Sequence, residues 1–232
     1  MLGVIMSMAM SGLLSSCAPN IGSRTMTAIV QYESGWKPWS IGDNTARKSY
    51  SYRTRLEAEN QAAELLKMGH DIDAGLAQVN STNFSAYGLN IGNVFDPCIN
   101  IHIGASILAH AYTGALRKNW IGKTIQTNQD IYLQQQYALI HALSAYNSGG
   151  YWASMKYAGN VYKIALEARK DFRQSNVITP QVMMMGVSEP RIHPISSRIN
   201  KELPIIHRSS QKISAASIII NGTAENWNTE KQ

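Results

Sequence analysis

Apolar residues recur at helical spacing through the first three quarters of the chain, and the first such stripe contains an anomaly. Met26, Ile29, Val30 and Glu33 fall at i, i+3, i+4 and i+7, so a glutamate continues a face that the other three would bury. Ser23 is placed to cap this helix, predicted from about Arg24 to Tyr32, and Gly35 and Pro38 to end it. "IGDNTARKSYSYRT" (Ile41 to Thr54) has turn residues first and alternating tyrosines later, which predicts a short β-hairpin or an extended basic flap. Thr54 and Glu57 have capping-box spacing before a helix with Leu56, Ala62, Ala63 and Leu66 inward and Gly69 at its end. A looser, glycine-punctuated stretch follows, "DIDAGLAQVNSTNFSAYGLN". Asp96-Pro97 then breaks the chain, and Asn100 is read as the cap of a helix presenting Ile101, Ala105, Leu108 and Tyr112. The longest pattern runs from Asn128 to Tyr146, with Leu139, Ala142, Leu143 and Tyr146 inward, and "NSGG" stops it. Tyr151 to about Phe172 is helical again, with Gly159 a weak point. The expected fold is mainly α (α+β), with one small β element.

The two ends differ from this middle. Residues 1–16, "MLGVIMSMAMSGLLSS", resemble the apolar part of a signal peptide without its basic flank, and equally the first helix of a domain. "LLSSC" also resembles a lipoprotein cleavage box ending at Cys17. Beyond Ser175 lie four of the seven prolines and a single aromatic residue, Trp227, so residues 176–232 are expected to form a poorly ordered tail. The expected organisation is therefore an apolar segment (1–16), one domain (17–175) and that tail.

A chain of 232 residues with 44% hydrophobic and 16% charged residues is long enough for one full core. No apolar run reaches the roughly 18 residues of a membrane span. A formal charge of +6 favours anionic surroundings such as cell-wall polymer, lipid headgroups or nucleic acid. No nucleic-acid-binding motif accompanies it, so no such partner is expected. The two cysteines, Cys17 and Cys98, are too few for a four-cysteine zinc site, and the six histidines show no ligand spacing. No metal and no cofactor are expected. By spacing alone the cysteines fit a disulfide and two free thiols equally well.

Three short stretches carry candidate chemistry. A glutamate on a buried stripe loses hydration, which raises its pKa and lets it donate a proton near neutrality. The plainer reading of Glu33 is a residue beyond the end of its stripe, in a fraying last turn. In "DAGLAQVN", Gly75 permits close approach of the backbone, Gln78 and Asn80 carry amides able to bind hydroxyl and acetamido groups, and Asp73 offers a second carboxylate or a turn residue. "SAYNSGG" puts Tyr146 and Asn147 at a helix end, where a phenol and an amide can face a cleft.

In this order, Glu-Ser, Gly-Leu-x-Gln-x-Asn and Ala-Tyr-Asn resemble the lytic transglycosylase catalytic domain of the lysozyme-like superfamily. "CAPNIGSRTMTAIVQYESGWKPWSIGDN", "GHDIDAGLAQVNSTNF", "FDPCINIHIGASIL" and "ALSAYNSGG" are similar to the VirB-type transglycosylases of type IV secretion and conjugation systems, over about Cys17 to Leu166. The resemblance implies a cell-envelope enzyme that cleaves peptidoglycan glycan strands beside secretion or conjugation subunits. It implies Glu33 as catalytic acid/base, Ser34 beside it, Gln78 in the sugar-binding cleft, and Tyr146 and Asn147 near the glutamate. It further implies that Cys17 and Cys98 pair in a disulfide. The chain departs from the family pattern at Ala77, where methionine is frequent. It departs also at Asn160-Val161, where a tyrosine-valine pair is usual; Tyr157 and Tyr162 lie nearby. "DAGLAQVN" also resembles the run in animal lysozymes whose aspartate is the second catalytic carboxylate, which would make Asp73 part of a hydrolase. A non-catalytic assembly module is the alternative from another class.

Overall fold

A computed structural model of the protein describes residues 12–175; the tail beyond 175, and the N-terminal segment up to residue 11, lie outside the described residues. Residues 12–17 are helical (α1), and Leu14 is packed into the core. The chain then forms α2 (Ser23–Glu33), a hairpin of β1 (Ser40–Asp43) and β2 (Lys48–Ser51), and α3 (Arg55–Lys67). Next come β3 (Ile72–Ala74), β4 (Val79–Asn80), a 3-10 turn (Ser81–Asn83) and the short α4 (Ile91–Val94). Three long helices follow: α5 (Pro97–Leu116), α6 (Asn128–Ser148) and α7 (Met155–Ser175). Among the described residues no helix is long and apolar enough to cross a membrane.

Two hydrophobic cores share one central helix. The first joins Met26, Ile29 and Val30 of α2 to Leu108 and Tyr112 of α5, Leu139 and Leu143 of α6, and Val161 of α7. The second sets Ala58, Ala62 and Leu65 of α3 against Ile41, Ile72 and Val79 of the sheet and Ile103 of α5. Helix α5 is apolar on nearly every face because it is covered on both sides, as a helix that is hydrophobic all round must be. The result is the α+β arrangement expected, a helical lobe and a small sheet lobe on either side of α5.

Several local expectations need correcting. The β element is a four-stranded antiparallel sheet of order β2-β1-β3-β4, because the glycine-punctuated stretch contributes β3 and β4. Helix α2 begins at Ser23 itself, with Gly22 at its cap and no side-chain cap bond. Asn100 does not cap α5; Asp96 does, accepting from the amides of Cys98 and Ile99 with Pro97 in the first turn, where a missing N–H costs nothing. The capping box of Thr54 and Glu57 is present, but the buried face of α3 is Ala58, Ala62 and Leu65, while Leu56 is 64% exposed. The last helix starts at Met155, after a turn over 151–154.

Cys17 and Cys98 form a disulfide with 5.1 Å between their Cα atoms, tying the end of α1 to the first turn of α5.

Candidate active site

Glu33 is the last residue of α2, one turn beyond three fully buried side chains. The chain reverses sharply after it, through left-handed conformations at Gly35 (φ 56°) and Trp36 (φ 66°). A tryptophan is rarely found there, and this one is held by packing on the helical core. Ser34 is buried, and its hydroxyl donates to the Val30 carbonyl (3.1 Å), which also accepts the Ser34 amide, so side chain and backbone hold the same acceptor in the last turn. The hydroxyl of Ser34 thus fastens the helix end that presents Glu33.

The half-buried Glu33 carboxyl receives a hydrogen bond from the Tyr157 hydroxyl of α7, 2.5 Å to Oε1. Burial pushes its pKa up, the Tyr157 bond pulls it partly back, and the charge of Asp73 pushes it up again, to about 7. At neutral pH the acid is therefore poised between its two forms, which is what a group that gives and then retakes a proton requires. Tyr157 is buried, the edge of its ring meets Tyr32 (5.0 Å between centroids), and Tyr146 of α6 stacks at 6.4 Å. Burial and the nearby charge of Glu33 hold the Tyr146 and Tyr157 hydroxyls well above the usual phenol pKa, so both act as neutral donors. Of the two tyrosines near the departure in α7, Tyr157 reaches the glutamate and Tyr162 belongs to the helical core.

A second group of candidate residues lies on the turn between β3 and β4. Gly75 (φ 80°) starts it, and a Cβ there would lie 2.4 Å from the amide nitrogen of Asn100, so only glycine fits. Asn100, fully buried in α5, accepts from the Ala77 amide (2.7 Å) and donates to the carbonyls of Ala74 and Val94 (2.9 Å each). The Tyr146 hydroxyl donates to the Ala77 carbonyl (2.6 Å), so α5 and α6 both grip this turn. Ala77 itself sits against Gly104, where a Cβ would come within 2.6 Å of the alanine methyl. Gln78, also left-handed (φ 46°), spends its amide nitrogen on the carbonyls of Gly75 (2.7 Å) and Ser40 (3.3 Å).

Asp73 lies half-buried on β3, accepting from the amides of Asn44 (3.0 Å) and Asn80 (2.8 Å). Burial raises its pKa and those two bonds oppose the rise. Asn80 also binds Asp71 and receives the Thr82 amide, so its side chain serves the turn. Asp73 and Tyr146 thus lie near enough to Glu33 for charge to act between them, and Gln78 belongs to the turn that Tyr146 grips. Asn147 is exposed, and its amide donates to Ser154 in the α6–α7 turn. Sequence reasoning did not find Asn44 or the anchoring role of Asn100. The only available signal was an asparagine on an otherwise apolar helix, which marks a polar group that must be satisfied inside.

Comparison with known proteins identifies a family for the chain. The family model described as "Transglycosylase SLT domain" matches residues 14–164. The protein virB1 of Agrobacterium fabrum is 32% identical over 135 residues, which is 58% of this chain and 49% of that protein. The type IV secretion system protein virB1 of Brucella abortus is 35% identical over 144 residues, 62% of this chain and 56% of that one. The chain thus spans about half the length of the curated relatives it matches. No solved structure gave a match.

Proposed function

The chain belongs to the transglycosylase SLT-domain family, and from that premise we propose that it is a peptidoglycan lytic transglycosylase with Glu33 as its one catalytic acid/base. The observation that carries the reading is the Glu33 carboxyl itself, half-buried at a helix end and bonded by Tyr157, where burial pushes its pKa up to about 7. The protonated acid gives its proton to the glycosidic oxygen between N-acetylmuramic acid and N-acetylglucosamine as that bond breaks. The acetamido carbonyl of the muramyl residue supports the anomeric carbon. Glu33, now a carboxylate, takes the proton of the muramyl 6-hydroxyl while that oxygen closes a 1,6-anhydro ring. No water is consumed, and the proton that left Glu33 is replaced, so the enzyme is regenerated. Gln78, Asn147 and the backbone at Gly75 are the residues we place along the sugar chain, with Ser34, Asn80 and Tyr146 fixing the segments that carry them.

The names of the relatives point to a role beside a type IV secretion or conjugation apparatus, opening the wall locally from the periplasmic side of the cell envelope. The disulfide fits such a compartment, because thiols are kept reduced in most cytosols.

A lysozyme-type hydrolase would instead use Asp73 as second carboxylate, about 5–5.5 Å from the acid in a retaining enzyme. Two asparagine amides already occupy both oxygens of Asp73, which suits a positioning role better than a nucleophile. Mass analysis of digested peptidoglycan separates the readings. Anhydro-muropeptides are expected from the unmodified protein, with about 10²–10⁴-fold loss in Glu33→Gln. Asp73→Asn should be only modestly slower, with anhydro products retained. Reducing muramic ends, together with an Asp73→Asn variant as inactive as Glu33→Gln, would establish the hydrolase. No cleavage at all by a folded protein would favour the assembly module.

A further inference from the structure

The turn between α6 and α7 holds an indole in solvent on a rigid mount. Trp152 is 69% exposed, yet the segment that carries it is fastened on all sides. The Ser144 hydroxyl donates to the Gly150 carbonyl (2.8 Å) and accepts from the Ser154 amide (2.9 Å). His141 Nδ1 bonds the Tyr151 carbonyl (2.8 Å), and the Tyr151 hydroxyl reaches the Ala111 carbonyl (3.3 Å). That last contact needs Gly114, because a Cβ there would lie 2.2 Å from the tyrosine oxygen. One side of Trp152 rests on His141 (4.1 Å between ring centroids) and Trp120 (5.8 Å), while His141 stacks flat on Trp120 (3.8 Å). A large ring already held on an ordered turn loses little further entropy on binding, so such a mount suits a contact residue.

Beside this aromatic group lies a basic hollow. It is lined by Arg117, Lys118, Lys123, Ile125 and Gln134, and Gln134 accepts the Trp120 amide (3.0 Å). Lys123 is paired with Asp130, so Arg117 and Lys118, both exposed, supply the outward charge; the Lys118 ammonium stands 5.4 Å above the Tyr151 ring. The same turn joins the helix that carries Asn147 to the helix that carries Tyr157, and Asn147 is bonded to Ser154 within it.

We propose that Trp152 and this basic hollow form a second carbohydrate-binding site, which holds a peptidoglycan strand outside the cleft. The proposal rests on the substrate class assigned above. An indole face suits the C–H face of a pyranose ring, and the two cations suit the carboxylates of the acidic stem peptides. A single exposed ring bordered by charge is too small for the core of a stable protein–protein interface, which buries about 800 Å² per partner. It suffices for one sugar of a polymer already held elsewhere, where tethering multiplies weak contacts.

The test is co-sedimentation of the full chain with purified, insoluble peptidoglycan sacculi, in a Glu33→Gln background so that the polymer stays intact. Trp152→Ala is expected to weaken binding about tenfold, and Trp152→Tyr, which restores an aromatic face, to recover most of it. Arg117→Ala with Lys118→Ala should reduce binding at low salt and have little effect at high salt. Circular dichroism and Tm confirm that each variant is folded. Equal binding by a folded Trp152→Ala protein overturns the proposal and leaves the surface to a protein partner. Product analysis of the unmodified protein, run in parallel, keeps this outcome distinct from the assigned reaction. Trp152-dependent binding without cleavage would keep this site and remove that function, and cleavage with Trp152-independent binding would do the reverse.

Discussion

Glu33 is held in a form that costs the fold stability. Its pKa rises from 4.5 to about 7, so the native state binds a proton that the unfolded state has released, and stability falls as pH rises between those values. Above pH 7 the penalty is fully present, on the order of 1–3 kcal/mol after allowing for the partial exposure of the carboxyl. Glu33→Gln removes the charge and keeps the shape. We therefore expect this variant to be more stable than the parent at pH 8 and nearly equal to it at pH 4, as read by urea denaturation at the two pH values. Tyr157 supplies a second residue-scale prediction. Its hydroxyl lowers the Glu33 pKa, so Tyr157→Phe should raise it and shift the alkaline limb of the kcat/KM profile to higher pH. The groups acting on that carboxyl are Tyr146, Tyr157 and Asp73, and none of these is a cation. A loss of activity with an unmoved profile would mean that Tyr157 only fills space. Glu33 was legible in the sequence because a carboxylate interrupting an apolar stripe is rare enough to demand a reason. Its partner was not, because Tyr157 is 124 residues away and nothing in its own helix distinguishes it from Tyr162.

The long helices could be read from periodicity because each buries one stripe over several turns. Helix α3 shows where the same signal slips. Its paired Ala62-Ala63 and Leu65-Leu66 fit two phases one residue apart, and packing against the sheet selected Ala62 and Leu65. Strands β3 and β4 have three and two residues, too few for alternation to register; β3 exists because β1 offers it an edge, and β4 because β3 does. The turn between them, which carries Gly75, Ala77 and Gln78, depends on one asparagine from another element. Asn100→Ala would leave the Ala77 amide and the carbonyls of Ala74 and Val94 buried without their partner. A cost of about 3–5 kcal/mol is expected, larger than an ordinary surface substitution by several-fold. Gly75→Ala should act similarly, because its new methyl group would collide with the same amide while the backbone remains left-handed. Thermal and urea denaturation of both variants measure this. A change under 1 kcal/mol in either would show that the turn is held by the sheet rather than by α5.

On the scale of the whole molecule, the lobes meet along α5, and the disulfide fastens the start of that helix to the segment leading into α2. Cys98 lies in the first turn of α5, whose Asn100 sets the turn wall, and the chain after Cys17 runs within six residues to the helix that ends at Glu33. The bridge closes a loop with a sequence separation of 81 residues, so its absence restores considerable freedom to the unfolded chain, worth about 4 kcal/mol on loop entropy alone. Its loss in the folded state would also free the carbonyl of Cys17, which His102 now bonds (3.2 Å), to move with α1. Replacing both cysteines by serine should therefore destabilise the protein by about 2–5 kcal/mol. For a chain of this size that corresponds to a fall in Tm of about 5–15 °C. Reductant should lower the Tm of the unmodified protein to that of the double variant and leave the double variant itself unaffected. Since a domain has only about 5–15 kcal/mol to lose, the reduced protein would keep its helices near room temperature and lose cleavage activity first on warming, as α2 and α5 separate. If reduction left both Tm and the temperature dependence of cleavage unchanged, the packing of Leu14, Ile21 and Ile101 would be sufficient to hold α1 and α5 together, and the bridge would be dispensable to the site.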